Sequence, residues 1–442
     1  MGADELERRI PGWCALCRSR CGGINVVRDG RLVAVEPDPR HPTGRALCAK
    51  GRAAPELVHH PERLMRPLMR SRPKGDADPG WREIPWDEAL DRTAAALKRF
   101  ADESGPESVV FAPTTPSGTA ISDAIHWIER LIRAYGSPNN LFGTEICNWH
   151  KDVAHRYTFG AAVGTPDFGR VGCLVLWGHN PSAAWLAQAE RAAEARRRGA
   201  KLVVVDPRRV GLAAKADQWL RVRPGSDGAL ALAIAGVMIE AGWYDEAFVR
   251  DWTNAAFLVR DDEDRLLTEC DLIEGGRPDA YVAWDEEAAR PVAFDCAAGA
   301  YDGPIGRTRL RGTIEVPAAK SIACRPVFER FAALCGSLTP ERAAAITWVP
   351  AERIRATARL LWEARPVAYH AWSGVGQHTN ATQTERAIAC LYALTGSFDA
   401  PGGNAYFARI PVNDVAGAEL MTEAQAAKAL GLKERPLGPA KD

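Results

Sequence analysis

The sequence predicts an α/β protein in which a small β-rich N-terminal segment is followed by two domains with parallel sheets. The clearest sign is a strand–helix–strand pattern, with apolar runs at 173–178 and 201–206 on either side of a helix from Ala183 to Arg198. A second strand and helix follow at 366–370 and 381–394. Near the N-terminus, an Asp-Gly turn between two short apolar runs predicts a hairpin.

The chain is expected to form three domains. Asp87 is expected to cap the first long helix, a strand is expected at 108–112, and residues 260–320 look irregular. The predicted domains are residues 1–80, a discontinuous α/β domain formed by 81–145 and 340–442, and an inserted α/β domain at 146–339.

Four cysteines near the N-terminus, Cys14, Cys17, Cys21 and Cys48, follow the spacing C-x2-C-x3-C-x26-C. Three thiols on one short loop can hold three corners of a metal cluster, and the fourth can close the cage where the hairpin folds the chain back. Thiolates are the ligands of iron–sulfur clusters and of zinc, but zinc sites usually pair two C-x2-C halves, and the second half is missing here. The pattern therefore favours a 4Fe-4S cluster over zinc or over four unligated cysteines.

Composition limits the other function classes. The 442 residues include 56 basic and 56 acidic side chains, so no general attraction to nucleic acid is expected. Eleven cysteines are too few for a disulfide scaffold in a chain of this length. Neither a signal peptide nor a membrane-spanning apolar run is visible, which predicts a cytoplasmic location without direct membrane insertion.

Three further residues carry reactive groups at informative positions. Lys50 follows Cys48 by two residues and could offset the negative charge of a cluster, or it could be an ordinary surface lysine. Cys147 and His150 are close enough to face one point, where the thiol could bind a metal and the imidazole could transfer protons. A structural cysteine beside a hydrogen-bonded histidine is the alternative.

Polar turns follow the predicted parallel strands, where nucleotides commonly bind. Asp206 ends the second strand of the 173–206 unit, Asp227 can either cap the next helix or hold a nucleotide base, and residues 372–380 form a glycine-rich polar turn. The Gly-x-Gly-x-x-Gly motif of ordinary NAD sites is absent, so another nucleotide is expected.

These features, in this order, resemble the molybdopterin oxidoreductase (dimethyl sulfoxide reductase) superfamily. The resemblance covers nearly the whole chain and rests on the cysteine cage with Cys-Ala-Lys-Gly, on Cys147, and on four later motifs. These are Leu-Trp-Gly-His-Asn-Pro, Val-Val-Asp-Pro-Arg, Arg-Pro-Gly-Ser-Asp-Gly-Ala-Leu and Leu-Thr-Gly-Ser-Phe-Asp-Ala-Pro-Gly-Gly-Asn.

The resemblance implies that both α/β domains are Rossmann-like and that the four N-terminal cysteines hold a 4Fe-4S cluster, with Lys50 as a charge relay to the pterin. It also implies two molybdopterin guanine dinucleotides (bis-MGD) that carry molybdenum or tungsten, with Cys147 as the protein ligand to that metal. The residues implied to contact the dinucleotides are Asn180, Asp206, Arg208, Gly225 and Asp227, with Gln377 and His378 near the pterin.

Two departures from the superfamily pattern refine this expectation. Formate dehydrogenases usually place His directly after the metal ligand, whereas Asn148 follows Cys147 here, and the local run is most similar to phenylacetyl-CoA acceptor oxidoreductases. Members also normally continue into a β-rich C-terminal domain that covers the cofactors. We expect that domain either in a separate polypeptide or in a longer form of this chain.

The expected function is that of the catalytic subunit, or its N-terminal part, of a molybdenum or tungsten oxidoreductase acting on a small molecule. His150 would transfer protons, and electrons would leave through Lys50 and the cluster to an iron–sulfur electron-transfer subunit. A further expected partner is a membrane-anchor subunit. Two alternatives are a non-redox hydratase of the acetylene hydratase kind and an electron-transfer or assembly subunit that keeps only the cluster.

Overall fold

A computed structural model describes residues 7–17, 19–113, 121–141, 153–408, 411 and 413–429. The chain divides into two compact units. Unit 1 comprises Met1–Cys147, Pro181–Glu190 and Ala408–Asp442, and unit 2 comprises Asn148–Asn180 and Arg191–Phe407. The predicted three-domain division stays a prediction.

Unit 1 begins with a three-stranded antiparallel sheet. Strands β1 (Glu7–Trp13), β2 (Gly22–Arg28) and β3 (Arg31–Pro37) lie in the order β1-β2-β3. The β2–β3 turn confirms the Asp-Gly hairpin: Asp29 and Gly30 both have positive φ, of 49° and 78°, as a tight hairpin turn requires. The small β-rich N-terminal segment is thus confirmed.

The rest of unit 1 is mainly helical, and the C-terminal segment of the chain contacts this helical region. It contains α1 (Ala49–Arg52), α2 (Ala54–Val58), β4 (Leu68–Arg70), β5 (Trp81–Glu83), α3 (Trp86–Ser104) and α4 (Ile121–Tyr135). The C-terminal segment packs back on this region, since Arg133 donates to the Ala416 carbonyl at 2.8 Å and Lys428 pairs with Glu107 at 2.7 Å.

Two local predictions in unit 1 were wrong. Pro85, and not Asp87, occupies the N-cap of α3, because extended backbone at Pro85 leads directly into the helix. The strand expected at 108–112 is reduced to one parallel bridge between Phe111 and Asn140, and a 3₁₀ turn takes up Pro106–Ser108.

Unit 2 is built around a four-stranded parallel sheet. Strands β7 (Cys173–Trp177), β8 (Lys201–Val205), β9 (Gln218–Leu220) and β16 (Val367–Ala371) lie in the order β16-β7-β8-β9. Every residue of β7 and β16 is buried, as expected for a parallel sheet covered on both faces. The predicted α/β class is confirmed.

Helix α8 (Asp227–Glu240) forms the centre of the unit 2 core. Its side chains Leu230, Ile234 and Met238 are at most 1% exposed, because neighbouring helices surround it. The helices of unit 2 besides α8 are α5 (His155–Phe159), α9 (Glu246–Trp252), α10 (Val327–Gly336), α11 (Pro340–Thr347), α12 (Ala351–Glu363), α13 (Ser373–Gly376) and α14 (Ala381–Leu394). Helices α6 (Pro181–Ala184), α7 (Leu186–Arg197) and α15 (Glu423–Ala426) complete the set in the described ranges.

The region 260–320, expected to be irregular, contains short strands of two antiparallel sheets separated by turns. Strands β10 (Leu258–Arg260), β14 (Ile314–Val316) and β15 (Ile322–Pro326) form one antiparallel sheet, and β11 (Ala280–Asp285), β12 (Arg290–Asp295) and β13 (Ala300–Tyr301) form another. A short antiparallel pair joins β6 (Thr165–Pro166) to β17 (Asn404–Ala405). Among the helices that the structure describes, none combines the length and the apolar character needed to cross a bilayer.

Candidate cofactor site

The first three cysteines lie on the loop that joins β1 to β2. Trp13 at the end of β1 pairs with Gly22 at the start of β2, so the loop leaves and re-enters the same end of the sheet. The Cys14 amide donates to the Cys21 carbonyl at 2.8 Å, which closes the base of the loop. The first and third thiols are therefore held on opposite sides of one short turn.

A proline-rich segment brings Cys48 to this loop. The Thr43 hydroxyl donates to the Arg20 carbonyl at 2.6 Å and accepts from the Gly22 amide at 3.3 Å, which ties the two segments together. Cys48 then occupies the N-cap of α1. Cys21 and Leu47 are buried in one apolar cluster, with Cys14 packed against it. The predicted fold-back between the third and fourth cysteines is therefore present.

The four thiols interact electrostatically. Burial raises the pKa of the Cys14 thiol, a hydrogen bond from the Leu16 backbone opposes this, and the charges of Cys17, Cys21 and Cys48 raise it further. Within the described residues, no three His, Cys, Asp or Glu side chains converge tightly enough to hold a single metal ion. Thiols around a multi-iron cluster stand farther apart than the four ligands of one zinc ion, which lie about 2.3 Å from the metal.

The backbone next to the thiols packs closely against them. Gly51 is buried, and a Cβ there would lie 2.7 Å from Leu47 Cδ1 and 3.4 Å from Cys14 Sγ. A side chain at position 51 would therefore displace the Leu47 side chain, which packs with Cys14 and Cys21. Lys50 is exposed on the same turn of helix. The residues of this segment fit a four-thiolate cluster.

In unit 2, polar side chains gather at the carboxyl ends of β7 and β16. The chain leaves β7 toward β8 and β9 on one side and returns as β16 on the other, so a topological switch point lies between β7 and β16. Open α/β sheets bind ligands in the crevice at such a point. The turns after both strands touch: the Gly374 amide donates to the Gly178 carbonyl at 3.1 Å.

Three aromatic rings and one amide line this switch point. The rings of His179 and His370 stack at a centroid distance of 4.6 Å, and the Trp372 ring lies about 5.5 Å from both. The Asn180 Oδ1 atom is buried and has no hydrogen-bond partner among the residues that the structure describes. A buried carbonyl oxygen without a partner favours a ligand with a hydrogen-bond donor.

Asp227 lies in the first turn of α8, where Ser226 and not Asp227 is the N-cap. Asp227 is 5% exposed and accepts a hydrogen bond from Trp177 Nε1 at 2.7 Å. Burial raises its pKa, and this outweighs opposing effects that include the nearby His378. Gly225, with φ of +84°, lies close to the same imidazole, since its Cβ would be 3.7 Å from His378 Nδ1. The structure thus brings together Gly225, Asp227 and His378.

The other candidate residues of unit 2 occupy neighbouring turns. Asp206 directly follows β8, is 8% exposed, and accepts from the Arg208 amide at 2.8 Å, while the Arg208 side chain is exposed. Gln377 is exposed at the C-cap of α13. Cys147 and His150 lie outside the described residues.

Comparison with known proteins identifies the family. A model described as the molybdopterin oxidoreductase Fe4S4 domain matches residues 7–60, and one described as molybdopterin oxidoreductase matches residues 63–437. The chain belongs to the molybdopterin oxidoreductase family. These matches confirm the predicted superfamily and its cofactor types, a 4Fe-4S cluster and molybdopterin guanine dinucleotide with molybdenum or tungsten.

Curated relatives in this family are redox proteins. A sulfite dehydrogenase chain of Allochromatium vinosum is 29% identical, over 92% of this chain and 45% of that protein. The alpha chain of the perchlorate reductase of Dechloromonas aromatica is 31% identical, over 80% of this chain and 41% of that protein. The chain therefore spans less than half the length of these molybdopterin oxidoreductases.

A solved structure agrees with the family fold. Acetylene hydratase from Pelobacter acetylenicus superposes with a TM-score of 0.62 at 23% identity, over 88% of this chain and 43% of that one. At this identity the likeness shows the fold alone.

Several residues at the switch point were not predicted from sequence. Trp177 was assigned to a strand interior, and His179, His370 and Trp372 were not selected as site residues. The only available signal was their position at strand ends, since parallel strands place such residues at one edge of a sheet.

Proposed function

We propose that this chain is the catalytic part of a molybdenum- or tungsten-dependent bis-MGD oxidoreductase that transfers electrons through its 4Fe-4S cluster to an acceptor protein. The observation that carries the proposal is the four-thiol cage, in which the loop between β1 and β2 is tied to the segment that carries Cys48.

In this proposal Cys14, Cys17, Cys21 and Cys48 hold the cluster. Lys50, on the helix that Cys48 caps, would offset the negative charge of four thiolates. When bound, the pterin-held metal would supply two-electron redox chemistry, and the cluster would supply one-electron transfer.

The switch-point residues would bind and orient the dinucleotides. Asp227 offers a buried carboxylate that can accept from the ring N–H and amino groups of a guanine, and Asp206 offers a second carboxylate at the next strand end. The exposed Arg208 guanidinium suits phosphate oxygens. Asn180, Gly225, Gln377 and His378 complete the proposed binding set.

Cys147 is proposed as the protein ligand to the metal and His150 as the group that donates or accepts the substrate proton. Several relatives are named for sulfite, perchlorate and thiosulfate. A small oxyanion of this kind is therefore the substrate class that we propose. The proposed partners are an iron–sulfur electron-transfer subunit together with a membrane-anchor subunit, and a cytoplasmic location is part of the proposal.

Anaerobic purification of the full protein tests this function. Metal analysis should find about four iron atoms per chain, together with molybdenum or tungsten and bound guanine nucleotide. Cys147→Ala should abolish sulfite- or perchlorate-dependent turnover while the iron content stays unchanged. Iron-free protein without a reducible paramagnetic resonance signal would contradict the proposal.

A pair of glycine variants tests the cage itself. Gly51→Ala should lower the iron content, because the added methyl group must displace the Leu47 side chain, which packs with Cys14 and Cys21. Gly30→Ala is the matched control: its Cβ would meet nothing within 4 Å, so only the hairpin turn is strained and the iron content should stay at the wild-type level.

Water addition to acetylene without dye reduction would instead support the hydratase alternative. Iron without molybdenum, tungsten or pterin would support the cluster-only alternative.

A further inference from the structure

The indole of Trp177 is buried in unit 2 and has no role in the function proposed above. Trp177 is the last residue of β7, is 1% exposed, and donates from Nε1 to Asp227 Oδ1 at 2.7 Å. The strand position of Trp177 is fixed on both sides, because it is paired in register with Val205 of β8 and Ala371 of β16. The indole N–H therefore reaches Asp227 from a rigid part of the sheet.

This hydrogen bond restricts the orientation of the Asp227 carboxyl group. The terminal torsion of an aspartate side chain is soft, so a carboxyl group without a partner can adopt a broad range of rotations. A donor on a fixed strand holds one of its two oxygens in place and so limits that rotation. The carboxyl plane of Asp227 is thus set by β7 as well as by its own helix, α8.

A fixed carboxyl plane matters for recognition of guanine. The base carries two adjacent donors, the ring N1–H and the exocyclic amino group, and both can be accepted only by a carboxylate whose two oxygens lie near the plane of the base. Hypoxanthine has the ring N–H but no exocyclic amino group, so it can use one oxygen at any rotation. The orientation of the carboxylate is therefore a means of distinguishing the two bases.

The chemistry of the indole also suits this role. The indole nitrogen only donates, so the oxygen that it meets must act as an acceptor. The hydrogen bond from Trp177 lowers the pKa of Asp227, which burial raises, and the backbone at Gly225 and the charge of His378 act in the same direction as Trp177. Trp177 thus favours the form of the carboxyl group that accepts hydrogen bonds.

We propose that Trp177 is a positioning residue, which orients the Asp227 carboxylate so that the site selects guanine over hypoxanthine. The inference rests on the proposed function, because it takes Asp227 as the acceptor for the guanine of the dinucleotide. Trp177 itself is not assigned contact with the base.

Trp177→Phe tests the inference, because it removes the N–H group and keeps an aromatic ring. Equilibrium dialysis of the full chain, prepared without its cofactors, measures binding of guanosine monophosphate and inosine monophosphate. Wild type should prefer the guanine nucleotide. In Trp177→Phe the affinity for guanosine monophosphate should fall about tenfold. The affinity for inosine monophosphate should fall less, so the ratio of the two affinities should move toward one.

A double-mutant cycle with Asp227→Asn separates positioning from a general effect on the fold. If Trp177 acts through the carboxylate, Trp177→Phe should cause little further loss of guanosine monophosphate binding once Asp227 is asparagine. An effect through the general packing of unit 2 would be additive, with the same fold-change in both backgrounds.

The pH dependence of binding provides an independent readout. Protonation of Asp227 removes an acceptor, so binding of guanosine monophosphate should weaken as the pH falls through the pKa of Asp227. Without the hydrogen bond from Trp177 that pKa should be higher, and the loss of binding should begin at a higher pH than in wild type. Titration of the nucleotide phosphate is the same in both measurements.

Tyr369→Phe is the matched control on the neighbouring strand β16. Its ring is as deeply buried as that of Trp177, and its hydroxyl bonds the Leu391 carbonyl and Thr395. This variant also replaces a buried polar aromatic residue by phenylalanine, but it leaves the Trp177–Asp227 hydrogen bond intact. Its affinities for both nucleotides should be those of wild type.

The outcomes distinguish the inference from the proposed function. Trp177→Phe with wild-type affinities, with an equal loss for both nucleotides, or with an additive cycle would overturn the inference and leave the proposed function intact. A Trp177→Phe chain that does not fold would also overturn it, because the N–H group would then be required for the fold. Wild-type protein that binds no guanine nucleotide would contradict the proposed function itself.

Discussion

At the scale of single residues, Asp227 shows how a proposed binding group can oppose stability. Its carboxylate is buried beside α8, and its pKa is raised above the ordinary value of 3.8. An aspartate with a raised pKa holds its proton more tightly in the folded state, so its effect on stability becomes unfavourable as the pH rises through the folded-state pKa. Ionisation of Asp227 is therefore less favourable in the folded protein than in the unfolded chain.

Asp227→Asn should accordingly stabilise protein prepared without its cofactors. Because asparagine can still accept from Trp177 Nε1, we expect the free energy of unfolding at pH 7 to be higher than that of wild type. The gain should shrink toward pH 4, where Asp227 is increasingly protonated in both states. Urea denaturation at the two pH values measures this, and equilibrium dialysis with guanosine monophosphate should show weaker binding. A variant less stable than wild type at pH 7 would show that the carboxylate is stabilising.

Residues differ in how far the sequence alone predicts their roles and contacts. Cys14, Cys17 and Cys21 were recognisable because their spacing is local, and Cys48 followed because an Asp-Gly turn predicts the hairpin between them. His155 and Glu385 are 230 positions apart, and neither lies in a motif. A contact of that separation depends on the packing of two helices, which hydrophobic periodicity does not specify.

At the scale of elements, β16 is an edge strand whose free side is occupied by side chains. The Asn404 amide group accepts from the Tyr369 amide and donates to the Tyr369 carbonyl, each at 2.7 Å, so it acts as the next strand would. The Ser397 hydroxyl accepts from the Val367 amide at 3.3 Å. Edge strands expose unpaired backbone groups, and these two side chains satisfy them.

Asn404→Ala should therefore destabilise the protein strongly for a change outside the apolar core. It leaves two buried backbone groups of Tyr369 without partners, which should cost about 2–4 kcal/mol of unfolding free energy. Ser397→Ala removes two longer hydrogen bonds, one from the Val367 amide and one to the Thr395 carbonyl, and should cost about 1 kcal/mol. Denaturant midpoints of the two variants make the comparison, and equal effects would refute this assignment of Asn404.

Sequence predicts elements well only where a short stretch specifies them. The β7–α7–β8 unit was correct because two uninterrupted apolar runs flank an alanine-rich helix. The apolar run at 109–112 looked equally strand-like, yet only Phe111 forms a bridge. In the region 260–320 the strands are short and pair across long intervals, such as Leu258 with Pro326, so no local pattern revealed them.

At the scale of the whole molecule, the four proposed cluster ligands and the parallel sheet belong to different compact units. The cage has few apolar residues of its own, whereas the sheet in unit 2 has a large buried core. Metal binding should therefore supply much of the local stability of residues 7–60, as it does in small metal-binding domains.

Removing the cluster by oxidation and chelation should destabilise residues 7–60 in unit 1 and leave the parallel sheet of unit 2 unaffected. Hydrogen exchange of residues 7–60 should accelerate, because the loop closed by Cys14 and Cys21 loses its ligand-imposed constraint. Exchange in β7 and β16 should remain slow. Mass spectrometry of peptides before and after iron removal provides the measurement, and equal loss of protection in both regions would show that the units unfold together.

The contact between the turns after β7 and β16 limits how this scaffold can be modified. A methyl group on Gly178 would lie 2.9 Å from Gly374 Cα, and one on Gly374 would lie 2.7 Å from Gly178 Cα. The main chains of the two turns are consequently in direct contact, and a substitution at either glycine would displace the other turn. Engineering a new ligand preference would have to begin with the surrounding side chains of His179, His370, Trp372 and Asn180. Neither glycine has room for an added Cβ atom.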